Sequence, residues 1–196
     1  MVLQKTISAL ESKGYTVIVV KNGKEALEYI KKIIPQGASV MNGSSVTLEQ
    51  IGYETYLGSG NHGWVDLHAK VNAESDREKR RKLRRESVLS DYYVGSVHAL
   101  IQTGEFVMAS NSGSQLPHIV FTSHNLLFVV STKKIVPTLD EGMKRVREYV
   151  FPLEDTHMKE KYGVGTGLNK ILIFRGEMPA SGRKITFLLV EENLGF

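Results

Sequence analysis

The sequence predicts an α/β fold, a mainly parallel sheet with helices on its faces. Two observations carry the prediction. Residues 1–55 alternate between apolar residues at helical spacing and short β-branched runs, in the order α-β-α-β-α. Three runs, Tyr15 to Val20, Leu126 to Val130 and Lys184 to Val190, are almost continuously apolar rather than alternating, as strands covered on both faces are. A third observation bears on function. Polar turns follow apolar runs directly at Asn42–Thr47, Gly95–Ser96, Ser110–Gln115, Ser131–Lys134 and Glu191–Asn193. In open α/β sheets the carboxyl ends of parallel strands share one crevice, where ligands bind.

The elements follow in order. Leu3, Ile7 and Leu10 form a helical stripe that Gly14 ends. Tyr15 to Val20 reads as a buried parallel strand. Asn22-Gly23 turns the chain into a helix marked by Leu27, Ile30, Ile33 and Ile34, which Pro35 and Gly37 close. Ala38 to Met41 is the next strand. Asn42, Gly43, Ser44 and Ser45 make a small polar turn, and Thr47 is expected to cap a third helix, with Gln50 at the capping-box spacing.

The run G-S-G-N-H-G at 58–63 satisfies G-x-G-x-x-G. It follows a helix and precedes W-V-D-L, so it reads as a loop and not as a dinucleotide fingerprint. G-V-G-T-G at 163–167 fails in the same way. Residues 74–86 hold seven Lys/Arg, four Asp/Glu and one apolar residue, Leu83. A solvated helix with i,i+4 ion pairs is expected. No aromatic residue interleaves the charges, which leaves nucleic acid the least supported partner. Residues 92–132 carry one formal charge, Glu105. They read as interior strands at Tyr92–Val94, Val97–Gln102, Phe106–Ala109 and Leu126–Val130, with a helix from Leu116 to Phe121. The same charge-poor surface suits a homo-oligomer interface.

Thr138 and Glu141 form a capping pair for a helix that presents Leu139, Met143, Val146 and Val150 on one face. Pro152 is expected to close it, with a polar segment running to Asn169. Lys170–Phe174 and Lys184–Val190 read as the last buried strands.

Composition narrows the chemistry. The 196 residues carry a net charge of +4 and no cysteine, which removes disulfides, cysteine-ligated metals and a thiol nucleophile from this chain. The six histidines form no H-x-H or H-x-x-x-H pair, and neither a metal nor a cofactor site is expected. The first residues lack an apolar core, so a cytoplasmic protein without a membrane span is expected. G-x-S-x-G is absent, and S-x-x-K at 131–134 lacks its S-D-N and K-T-G companions. No nucleophile–base pair stands out, which leaves catalysis open.

The turn at 42–47 suits an anion, because backbone N–H groups at a helix start are free and the helix dipole favours negative charge. Charge-assisted N–H bonds contribute about 1.5–3 kcal/mol each before ordering costs, whereas micromolar affinity needs about 8 kcal/mol. A cation must help. Lys133, Lys134 and Lys170 are the candidates by position, and Ser112, Gly113, Ser114 and Gln115 form a second polar turn for the same ligand.

The chain resembles the lactate-utilisation (LUD) domain family over nearly its whole length. The resemblance rests on N-G-S-S-V-T-L-E-Q-I-G at 42–52, similar to the family's G-x-S-x-T-x-x-E-I-G. It continues through S-D-Y-Y-V-G-S-V-H-A-L-I-Q-T-G-E at 90–105, A-S-N-S-G-S-Q at 109–115, K-I-V-P-T-L-D-E at 134–141, N-K at 169–170 and E-E-N-L-G-F at 191–196. It implies one LUD-like domain over residues 1–196 and a three-layer sandwich like that of sugar-phosphate isomerases and CoA transferases. It also implies a role beside iron–sulfur proteins in the oxidation of L-lactate to pyruvate. The chain departs from the family at His98, where an asparagine is expected, and at Gln115, where an arginine is expected. With no cysteine here, iron–sulfur chemistry falls to a partner. An enzyme acting on an acyl-CoA or sugar-phosphate-like substrate is the alternative, with Glu49, Glu105 or Glu192 as acid/base. Of these, Glu192 lies in a run slightly similar to the E-N-G of CoA transferases.

Overall fold

The computed structural model describes residues 2–196. Helix α1 (Val2–Ser12) leads into β1 (Thr16–Val20), α2 (Gly23–Ile33), β2 (Ser39–Asn42), α3 (Val46–Gln50) and α4 (Tyr53–Gly58). The short β3 (Val65–Asp66), α5 (Leu67–Ala73) and α6 (Arg77–Glu86) precede four strands, β4 (Tyr92–Gly95), β5 (Ala99–Ile101), β6 (Phe106–Ser110) and β7 (Asn125–Ser131). Then come β8 (Ile135–Val136), α7 (Leu139–Arg145), α8 (Phe151–Tyr162), β9 (Lys170–Phe174) and β10 (Lys184–Val190).

Six strands form a parallel sheet in the order β1-β10-β7-β4-β2-β3. Strands β10 and β7 are central and fully paired, from Lys184 opposite Asn125 to Val190 opposite Ser131. Helices lie on both sides, a three-layer α/β sandwich. The apolar runs explain themselves here. Leu126, Phe128 and Val130 face α1 and the second sheet, while Leu127 and Val129 face α2, α3 and Trp64. A strand buried on both faces has no side for polar residues.

The charge-poor segment does not all enter one sheet. Strands β5 and β6 form an antiparallel pair in a second, four-stranded sheet ordered β8-β5-β6-β9. This sheet packs through Leu100, Phe106, Met108 and Phe174 on the parallel sheet, and through Ala99, Ile101 and Val107 on α7. Phe106 stacks on Phe174 at 4.7 Å and meets Phe128 at 5.1 Å, which seals the seam. Charge is sparse because two sheets bury each other.

Several expectations are corrected. Strand β1 is parallel but lies at the edge, with Val19 exposed. Strand β9 is likewise an edge strand, and Ile171 and Ile173 are exposed rather than buried. Helix α3 is capped by Ser45, whose Oγ accepts the Leu48 N–H at 3.3 Å, while Thr47 is buried as the second residue of the helix. Pro152 does not end the helix. The turn Val146–Val150 is a π-turn, in which the Phe151 N–H reaches back to the Val146 carbonyl, and α8 continues from it. Pro152 has no N–H to donate, and the widened turn just before it lets the helix continue without one. Helix α6 is the solvated helix expected, with Arg81 paired to Glu78 at 3.4 Å and Lys82 to Glu86 at 3.7 Å. No described helix is long and apolar enough to cross a membrane.

A second π-turn, His118–Thr122, follows Pro117 where a helix was expected. Its loose carbonyls are gathered by Arg183. The guanidinium donates to the carbonyls of His118, Ile119, Val120 and Ser123 at 2.8–3.0 Å, and to Glu177 at 2.7 Å. These five bonds use all five of its donors. Arg183→Ala is therefore expected to lower unfolding free energy in urea by about 3 kcal/mol, with Arg183→Lys restoring only a minor part, because one ammonium cannot match the planar fork.

Candidate functional site

The carboxyl ends of β2, β4, β7 and β10 meet at the Lys134 ammonium. After β7, residues 132–134 form one 3₁₀ turn. Three residues per turn put Ser131 and Lys134 on the same face. The Ser131 hydroxyl donates to the Glu192 carbonyl at 2.7 Å, and Lys134 turns inward while Lys133 stays exposed. Lys134 Nζ donates to Thr47 Oγ1 at 2.9 Å and to Ser96 Oγ at 3.1 Å. A Cβ on Gly195, whose φ is +64°, would overlap Thr47 Oγ1 and lie 2.9 Å from Nζ. Glycine there lets the chain after β10 close over the ammonium.

Lys134 is 4% exposed. Among the described residues no carboxylate lies within ion-pair distance of it. Burial, then the neighbouring charges of Arg145 and Lys133, push its ammonium down to about 7. Arg145 is a second cation behind this wall. Its Nε donates to the His98 carbonyl at 3.0 Å, and its buried Nη2 has no partner among the described residues. His98 Nδ1 accepts the Ala109 N–H at 3.0 Å, which assigns its proton to Nε2. Burial and the charges of Lys134 and Arg145 push this imidazole down to about 3, so it is neutral.

Lys134, Thr47, Ser96 and His98 border a cavity of about 320 Å³. Of the residues predicted from sequence, it brings together Gly43, Ser44, Ser45, Thr47, Ser112, Ser114, Gln115 and Lys134. Gln115 is occupied: its Oε1 accepts from Tyr93 at 3.2 Å and its Nε2 donates to the Ala109 carbonyl at 3.1 Å. A Cβ on Gly43 would lie 2.6 Å from Gln115 Oε1, so glycine is required for that approach. Tyr93 stacks on His118 at 5.0 Å, which links the Arg183 hub to the cavity wall.

The others lie off the cavity. Asn42 is buried beneath the turn, its Nδ2 on the Gly43 carbonyl at 3.3 Å. Gly113 packs on the stem of Lys170, whose ammonium donates to the Asn111 carbonyl at 3.2 Å. Glu49 pairs with Lys161 at 3.3 Å, outside. Glu105 accepts from Thr103 in the β5–β6 turn and faces Lys13 at 3.8 Å. Glu192 accepts the Gly23 N–H at 2.8 Å and so caps α2. The α3 start is a weak source of positive field, because that helix has five residues. The charge comes from Lys134 instead.

Sequence reasoning missed Ser96 as a site residue although its turn was singled out, and it missed Tyr93 and Glu154. Glu154 lines the cavity from α8, and burial holds its carboxyl above the usual range. Nothing in the sequence marks it, since it lies beyond Pro152. Among the described residues no three His, Asp or Glu side chains converge as a metal site would require.

The sequence model of the LUD domain family matches residues 3–170. A DUF162 family protein from Deinococcus radiodurans, solved as a crystal structure, superposes with a TM-score of 0.57 at 13% identity, covering 96% of this chain and 95% of that one. At that identity the likeness concerns the fold. No curated protein matches.

The buried ammonium makes stability depend on pH. Below pH 7 both states hold the Lys134 proton and the folded state carries its full desolvation cost. Between 7 and about 10.5 only the unfolded chain keeps the proton, so raising pH relieves the cost. Lys134→Met is expected to gain on the order of 1–3 kcal/mol at pH 6, and the gain should shrink as pH rises toward 10. Urea titrations of both proteins across that range measure it. The His98 contribution has the same sign in a lower window: it is complete above about pH 6.5 and is lost as pH falls toward 3.

Proposed function

Because the chain belongs to the LUD domain family, we propose that it is a lactate-utilisation protein that binds a small anionic metabolite at Lys134, acting as one LUD-like domain over residues 1–196. The observation that supports this most is the buried ammonium held by two hydroxyls with no carboxylate beside it. An unpaired buried cation is costly, and a ligand carboxylate or phosphate removes that cost. The Gly43–Ser45 turn and the Ser96 and Thr47 hydroxyls supply further donors on the same side. The chain has no cysteine, so electrons from lactate would pass through iron–sulfur partners in the cytoplasm, with this domain as an accessory subunit.

A stand-alone enzyme on an acyl-CoA or sugar-phosphate-like substrate is the second reading. It is favoured by one observation: Lys134, a base near neutrality, shares its cavity with Glu154. Turnover that is lost in folded Glu154→Gln and Lys134→Met variants would support it.

The binding test is a thermal-shift and calorimetric panel of L-lactate, pyruvate, phosphate, sugar phosphates and CoA esters. A ligand at a hundred times its dissociation constant adds about 2.7 kcal/mol, a shift of several degrees. The expected result is a selective shift that Lys134→Met abolishes and that the Ser44→Ala/Ser45→Ala pair reduces. Binding above pH 7 should also take up a proton, because the anion restores the Lys134 charge. Calorimetry in two buffers of different ionisation enthalpy reads this directly. An unchanged shift in Lys134→Met removes the assignment.

A further inference from the structure

The anion site occupies only one side of its cavity. Lys134, Thr47 and Ser96 stand at the carboxyl ends of the parallel strands. Another part of the lining comes from the helix that runs through the π-turn and from the loop beyond it, and Glu154 on that helix is not among the charges acting on Lys134. Val150, Phe151, Met158 and Leu168 line the cavity there, and Met108 contributes from β6. Residues 150, 154 and 158 recur every four positions, so they share one helix face. Glu154 is therefore the one carboxyl set within an apolar stripe.

The volume is too large for a three-carbon acid. About 320 Å³ lies at the small end of sites that enclose whole small-molecule ligands, and lactate has only six non-hydrogen atoms. A carboxylate seated at Lys134 would leave the apolar wall facing water. An apolar arm on the ligand would cover it, at a gain of about fourfold in affinity per methylene. A second carboxylate at the end of that arm would meet Glu154.

We propose that this cavity selects a monocarboxylate carrying an apolar arm, branched or aromatic, over both the three-carbon acids and dicarboxylates of equal length. The inference rests on the anion reading above: the head group sits at Lys134, the arm lies along the Val150–Met158 face, and Glu154 repels a distal negative charge.

Calorimetric titration of the full chain with pyruvate, 2-oxobutyrate, 2-oxovalerate, 4-methyl-2-oxovalerate, phenylpyruvate and 2-oxoglutarate tests it. Dissociation constants should fall about fourfold per added methylene from pyruvate to 2-oxovalerate, with the branched and aromatic acids tighter still. The dicarboxylate 2-oxoglutarate should bind at least tenfold more weakly than 2-oxovalerate. In Glu154→Gln the ratio between these two should move toward one. Affinity that is level or falls with chain length overturns the inference while leaving the anion site standing. So does a dicarboxylate that binds as tightly as its monoacid. If no acid binds, or if Lys134→Met binds the series as wild type does, the anion reading fails and this inference fails with it.

Discussion

One buried ammonium holds the functional end of this protein together. Lys134 follows β7, Thr47 follows β2, Ser96 follows β4, and Gly195 follows β10. Parallel strands deliver these loops to the same end of the sheet, but nothing in the strand pairing says how the loops meet. The hydrogen bonds from Nζ say so. A serine or asparagine in place of the lysine would not span the distance from the 3₁₀ turn to both hydroxyls. Hydroxyl partners rather than carboxylates leave the charge uncompensated within the protein, which sets Lys134 apart from a structural ion pair. Arg183 makes the contrast. Its side chain is also largely buried, but its donors are all used, four on carbonyls and one on Glu177. It serves the fold and asks for no ligand.

The second sheet decides the character of the cavity. A parallel sheet with helices alone on this face would present helix surfaces to the crevice. Here β5 and β6 lie across it, sealed by Phe106 on Phe174 and Phe128. Helix α7 packs on the far side of that small sheet through Leu139 and Met143. The π-turn at 146–150 then carries the chain around the sheet's end, so that Val146 packs in the α7 layer and also lines the cavity. A regular helix would have rotated the following residues differently by about 100° per inserted position. The apolar wall of the site thus depends on a local widening of one turn and on the proline that follows it.

Much of the scaffold was legible in the sequence. Continuous apolar runs announced strands buried on both faces, and Thr138 with Glu141 announced the start of α7, where the hydroxyl accepts the Glu141 N–H at 3.2 Å. Three of the five polar turns after apolar runs line one cavity, including Ser110–Gln115 although β6 belongs to the other sheet, and Lys134 joins them from a fourth, whereas Glu191–Asn193 does not reach it. What could not be read were choices made by tertiary contact. Periodicity does not say which sheet a short apolar run joins, so β5 and β6 were indistinguishable from β4 and β7. Nor does it say that β1 and β9 are edges. Lys133 and Lys134 are equivalent as letters, and only the 3₁₀ turn separates the inward one from the exposed one. The glutamates proposed as acid/base were chosen by position along the chain, and each is satisfied by a neighbour such as the Gly23 N–H or Lys161.

The weight given to Lys134 over the helix start follows from magnitudes. A helix terminus contributes about 0.3–1 kcal/mol to a nearby charge when exposed, and α3 with five residues has little aligned dipole to offer. A desolvated ammonium interacts with an anion several times more strongly, because the screening that water provides is absent. That strength comes with a condition. The same desolvation that sharpens the attraction pushes Lys134 toward losing its proton, and Arg145 behind it pushes in the same direction. On the proposed anion reading, the ammonium is held near the point of neutralisation, and an arriving anion would restore the charge that binds it. Affinity and protonation are then two views of one equilibrium, and the protein's stability, its proton uptake and its ligand preference all report on the same side chain.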